Sequence, residues 1–158
     1  MAVFKTNAMR MLERSKIPYE HYEYDPEVTD GVTVAELVGQ DKEMVFKTLV
    51  TVSSKGNYYV FVVPVGKTLD LKKAASVVGE KSVAMIKQKE LLPLTGYIHG
   101  GCSPVGMKKL FPTVIHKSAE KFEKICVSAG QRGHQVKVPT AMLADAVKAK
   151  FAFLIAEE

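Results

Sequence analysis

The chain has 158 residues, 47% hydrophobic and 25% charged, and a formal net charge of +5 at pH 7. That balance excludes a disordered chain, and the longest apolar run, residues 58–65, is interrupted by Pro64 and falls far short of the roughly 20 residues a membrane-spanning helix needs. The length suits one domain over residues 1–158 that buries its own core, and Cys102 and Cys126, the 2 cysteines, lack a partner at short spacing and suit a reducing, cytoplasmic setting.

Thr6 is placed to cap a first helix whose apolar positions Ala8, Met9, Met11 and Leu12 recur at helical spacing, ending before Pro18. The charges of residues 1–14 exclude a secretory signal there. Residues 19–24, rich in aromatics and bounded by prolines, read as a strand. Thr33 and Glu36 form a capping box that starts a short helix closed by Gly39. Residues 45–52 and 58–63 are β-branched and apolar, and the turn sequence 53–57 between them makes a hairpin. Asp70 caps a helix over 71–78 that Gly79 stops, and 83–86 is a short strand. After Leu91, Leu92 and Pro93 comes a glycine-rich loop, 96–106. Strands follow at 112–116, 124–128 and 135–138, the last two separated by the turn 129–133. Pro139 and Thr140 open a helix over 141–148, and 151–155 closes the chain as a strand. Consecutive strand runs with a few short helices predict a mixed α/β (α+β) domain rather than alternating βαβ units.

The glycine loop carries most of the functional information. Four glycines and Pro104 in residues 96–106 free the backbone to bring its N–H groups close to a ligand, and Lys108 and Lys109 just beyond suggest an anionic or carbonyl-bearing one. Lys47 lies within an apolar strand, where alternation directs it either to solvent or into a cleft. In a cleft it would bind a carbonyl or phosphate, with a lowered pKa if desolvated. Cys102 near His99 allows a thiol nucleophile, against the plainer reading of a small buried side chain. His99 and Cys102 could form half of a zinc site with Cys126 and His134, but that second pair lacks a short ligand spacing, so no metal is expected, and His21 reads as a hydrogen-bonded residue rather than a base. The 129–133 turn is either a plain hairpin or a second cleft wall, with Ser128 hydrogen bonding and Gly130 leaving room for the ligand. Paired carboxylates, a P-loop and a dinucleotide fingerprint are all missing, which excludes glycosidase, nucleotide-triphosphatase and dinucleotide chemistry.

Together, Phe46-Lys47-Thr48, the run 71–75 (LKKAA), the run 95–106 (TGYIHGGCSPVG) and the run 127–133 (VSAGQRG) resemble the YbaK/EbsC family, free-standing relatives of the editing domain of bacterial prolyl-tRNA synthetases. The resemblance implies a curved mixed sheet around a central cleft and a deacylase that removes cysteine from mischarged Cys-tRNA(Pro). It implies that the substrate's own thiol attacks the ester, so that the enzyme supplies geometry and electrostatics and needs no cofactor. Lys47 matches the essential lysine, and Gly100 to Pro104 the Gly-x-x-x-Pro loop in which the Gly101 amide would hold the aminoacyl carbonyl. Tyr24 and Ser128 match pocket positions, Gly130 would keep the pocket open, and Cys102 stands where relatives carry an aliphatic residue. The implied partners are aminoacylated proline tRNA, whose acceptor stem the distributed lysines would bind, and prolyl-tRNA synthetase. An editor of alanyl or another small aminoacyl ester, and a silent tRNA-binding module, are the alternative readings.

Overall fold

A computed structural model of the chain describes residues 4–156. In chain order it runs α1 (Asn7–Arg14), β1 (Glu20–Glu23), α2 (Gly31–Leu37), β2 (Phe46–Ser53), β3 (Tyr58–Pro64), α3 (Leu71–Val78), β4 (Val83–Met85), α4 (Gln88–Thr95), β5 (Thr113–His116), β6 (Lys124–Ser128), β7 (His134–Pro139), α5 (Thr140–Ala146) and β8 (Lys150–Ala152). The strands form a five-stranded sheet, β4-β2-β3-β5-β8, and a three-stranded sheet, β1-β7-β6. Pairing is antiparallel except for β3–β5 and β5–β8, which are parallel. The sheet is therefore mixed, as expected, but it comes as two sheets that meet at a parallel bridge between Val45 and Cys126, where β2 begins.

Local chemistry explains most boundaries. The Thr6 hydroxyl accepts from Met9 N–H at 3.1 Å and starts α1. The Asp70 carboxylate accepts from Lys72 and Lys73 N–H at 2.9 and 3.1 Å, and Gly79 ends α3 at φ 74°. Strand β3 is central, so both of its faces are covered and its sequence is a continuous apolar run rather than an alternation. Val60 and Val62 join the main core with α1 and α5, whereas Phe61 and Val63 pack with Ala74 and Ala75 of α3.

Three expectations are corrected. Helix α2 begins at Gly31, because the Asp30 carboxylate takes the Thr33 N–H and hydroxyl at 3.2 and 2.7 Å; Thr33 donates to the cap instead of being it. A helix not foreseen, α4, contains Pro93 in its last turn. Proline there removes one backbone bond, while Leu91 packs into the core and the Thr95 hydroxyl donates to the Leu91 carbonyl at 2.8 Å. The final strand shrinks to β8, and Ile155 pairs separately with Leu69. No helix among the described residues is long and apolar enough to cross a membrane.

Candidate active site

Where the two sheets meet, a cavity of about 170 Å³ opens between β2, the 96–106 loop, the end of β6 and the start of α2. Its lining includes Lys47, Tyr24, Gly100 and Ser128, four of the residues expected in the site. Its volume is well below the roughly 300–1,000 Å³ of drug-sized ligand sites, which suits an amino-acid-sized group.

Lys47 follows Phe46 on β2. Alternation buries Phe46 in the core to 1% exposure and puts Lys47 on the other face. That face is the cavity wall rather than open solvent, so the side chain is half-buried. Desolvation lowers the Lys47 pKa below the usual lysine value, and the nearby Asp30 carboxylate partly opposes this. Asp30 is engaged in capping α2, and the Thr33 contacts, aided by the charge of Lys47, hold its own pKa low. Among the described residues, the Lys47 ammonium group has no hydrogen bond and no salt bridge. It is a partly desolvated cation in want of an anion or a carbonyl oxygen.

Two further polar atoms share that condition. The Thr48 hydroxyl and the Gln135 amide oxygen are buried without hydrogen-bond partners, and both residues line the cavity. Buried polar atoms in native proteins are nearly always paired, so orphans on residues that line a cavity point to a bound group. Neither residue figured among the expected site residues. Gln135 was within reach of them, because the hairpin over 124–138 places it directly opposite Ser128. The Ser128 hydroxyl accepts from Gly130 N–H at 3.1 Å and keeps its own hydrogen to donate.

The glycine loop is held against the β6–β7 turn, where Arg132 Nε donates to the His99 carbonyl at 2.7 Å. A Cβ on Gly101 would lie 3.1 Å from Arg132 N and 3.2 Å from the Gln131 backbone, so glycine is needed for this approach of two main chains. The Gly101 N–H, expected to face the substrate carbonyl, instead donates to the Ile98 carbonyl at 3.0 Å, and Gly101 lies outside the cavity lining. Gly100 and Cys102 do line it, and their N–H groups have no acceptor among the described residues.

Gly130 and Pro104 also sit elsewhere than expected. A Cβ on Gly130 would come within 2.9 Å of the Tyr97 ring, so its open side is filled by protein rather than by ligand. Tyr97 donates its hydroxyl hydrogen to the Val105 carbonyl and braces the loop from behind. Pro104 lines a separate apolar hollow beside Met11 and Leu12 of α1. Lys108 and Lys109 are outside the site as well: the first packs its stem on Gly96 and the second lies over the Phe111 ring.

Cys102 is the cysteine among the cavity-lining residues. Burial raises its thiol pKa to about 12, so it is a protonated thiol with no histidine acting on it. Cys126 is likewise pushed up to about 11 by burial.

A mixed α/β fold whose cavity offers an unpaired cation, free N–H groups and orphan polar atoms, but no activated nucleophile, is built to hold and polarise a small carbonyl group. The chain belongs to the aminoacyl-tRNA editing domain family, which residues 25–146 match. It is 44% identical over 156 residues to EbsC of Enterococcus faecalis (strain ATCC 700802 / V583), provisionally named a Cys-tRNA(Pro)/Cys-tRNA(Cys) deacylase, with 98% of this chain and 95% of that protein covered. Crystal structures of other proteins share the fold. One, described provisionally as a trans-editing enzyme for prolyl-tRNA synthetase, has a TM-score of 0.85 at 24% identity, covering 98% of this chain and 100% of the other. Another, the protein APE2540, has a TM-score of 0.87 at 20% identity, covering 96% and 100%.

Proposed function

We propose that this chain is a cytoplasmic, single-domain, trans-acting aminoacyl-tRNA deacylase that removes cysteine from mischarged proline tRNA, working beside prolyl-tRNA synthetase. The observation that carries the reading is the unpaired, half-buried Lys47 in a small cavity that lacks any activated nucleophile. Family membership and the 44% identical relative support the same activity. Cysteine and proline are close enough in size that a synthetic pocket separates them poorly, so a second sieve is needed.

The cavity takes the cysteinyl group, and Lys47 engages the ester oxygen or the adjoining phosphate. The free N–H groups of Gly100 and Cys102 take the role expected of the Gly101 amide: they receive the negative charge that develops on the carbonyl oxygen. The substrate sulfur attacks its own carbonyl carbon, the ester C–O bond breaks, and the tRNA ribose oxygen leaves with the proton given up by the thiol. The product is a strained cyclic thioester that water opens to free cysteine. Tyr24, Thr48, Ser128 and Gln135 position the aminoacyl group, and the protein contributes positioning and electrostatics rather than a covalent step.

The test is a deacylation panel of Cys-tRNA(Pro), Cys-tRNA(Cys) and Ala-tRNA(Pro). Turnover of the first is expected. Turnover of both cysteinyl esters would mean that the amino acid and not the tRNA is read, preference for the alanyl ester would reassign the substrate, and binding without turnover of any ester would sink the enzyme reading.

A further inference from the structure

The three-stranded sheet carries a second constellation on the face away from the cavity. In the β1–β7 ladder, Glu23 pairs with His134 and His21 with Val136, so these side chains share one face with Val136 of the main core. Gln135, one residue on, points to the opposite face and into the cavity. His21 Nε2 and His134 Nδ1 are 2.8 Å apart, and a Glu23 carboxylate oxygen completes a set of three ligand atoms all within 4.8 Å of one another. Phe4 stacks on the His134 ring at 4.2 Å and on His21 at 5.8 Å, which shields one side of the pair.

We propose that His21, Glu23 and His134 form a binding site for a divalent transition-metal ion of the zinc type, which clamps β1 to β7 behind the cavity. Two imidazoles and one carboxylate suit zinc, cobalt or nickel and not magnesium or calcium, which require oxygen ligands. Zinc–nitrogen bonds of about 2.0–2.1 Å in tetrahedral geometry put two imidazole nitrogens about 3.3 Å apart, so the pair has to open by about half an ångström. His21 and Glu23 are exposed and free to make that adjustment, and water takes the remaining coordination position. The His21–His134 hydrogen bond uses one N–H between the two rings. On metal binding the donor ring moves that proton to its other nitrogen, so both facing lone pairs reach the ion and both rings stay neutral. The clamp joins the residues next to Tyr24 and Gln135, which tightens the wall of the cavity without touching the substrate. The inference does not depend on the editing reading.

Isothermal titration of zinc chloride into untagged, reduced protein tests it, together with the visible absorption of the cobalt(II) form. One equivalent is expected to bind, with magnesium chloride giving no heat. Loss of a group that only hydrogen-bonds a metal ligand costs a site roughly 10–100-fold in affinity, so His21→Ala and Glu23→Gln, which remove the ligands themselves from an exposed edge, should each lose at least about tenfold. Circular dichroism checks that the variants are folded. Absence of zinc binding at millimolar metal, or affinity unchanged in His21→Ala, would overturn the proposal.

Discussion

Replacing Lys47 by methionine keeps the length and apolar stem of the side chain and removes its charge. In the proposed complex the ammonium group makes a charge-assisted hydrogen bond in a half-buried site, and such bonds are worth about 1.5–3 kcal/mol. At 1.36 kcal/mol per tenfold, kcat/KM for Cys-tRNA(Pro) should fall by about 10- to 150-fold. Stability should respond in the opposite sense. The Lys47 ammonium group makes no hydrogen bond or salt bridge among the described residues, and desolvation, only partly opposed by Asp30, disfavours its charge, so Lys47→Met removes a destabilising charge. The urea midpoint should hold steady or rise while activity falls. The same desolvation sets a pH signature. Because the Lys47 pKa is lowered, its charged form is lost on raising the pH before an ordinary lysine, near 10.4, would lose its proton. The alkaline limb of kcat/KM should therefore begin below that value, and Lys47→Arg, if active, should move it upward because guanidinium does not titrate there. Initial rates with labelled Cys-tRNA(Pro) at subsaturating concentration, alongside urea unfolding, decide the matter. Activity loss accompanied by a lowered midpoint, or unchanged activity, would refute the reasoning.

Cys102→Ala should leave deacylation almost unchanged, since the thiol is held protonated with a pKa of about 12; loss of turnover in a folded variant would reject substrate-thiol attack. Gly101→Ala forces a Cβ to within 3.1–3.2 Å of the Gln131–Arg132 backbone, and overpacking of this kind costs about 1–3 kcal/mol. A lower urea midpoint and slower deacylation are expected together, and an unshifted midpoint would mean that the loop does not press on the turn. His116 is buried, its Nδ1 accepts from Leu154 N–H at 3.2 Å, and burial followed by Lys73 and Lys121 lowers its pKa from 6.5. Below pH 6.5 the unfolded chain takes up this proton before the folded one, so the stabilisation is present above 6.5 and is lost as the pH falls through the depressed folded value. Urea midpoints between pH 7.5 and 5 should fall more steeply in the wild type than in His116→Asn, and parallel slopes would exclude His116 as the cause.

Much of the fold was legible because its signals are local. Asp70 and Gly79 bracket α3, the 53–57 turn joins β2 to β3, and the apolar run 124–128 is β6. Errors arose where two local signals competed. Asp30 and Thr33 are both good caps, and the carboxylate prevailed because Thr33 could donate to it. Pro93 argued against a helix that core packing of Leu91 nonetheless secures.

Sequence alone also marked Lys47, Tyr24, Gly100 and Ser128, and the structure brings these four together around one cavity. It could not say what each glycine of the loop and turn approaches. A glycine announces positive φ or close contact, yet a ligand and a neighbouring backbone impose the same requirement. Only the tertiary structure shows that Gly101 meets the β6–β7 turn and Gly130 the Tyr97 ring. The orphan oxygens of Thr48 and Gln135 are likewise tertiary facts, because lack of a partner depends on everything packed nearby. Residue chemistry is written along the chain, whereas desolvation and satisfaction belong to its three-dimensional surroundings.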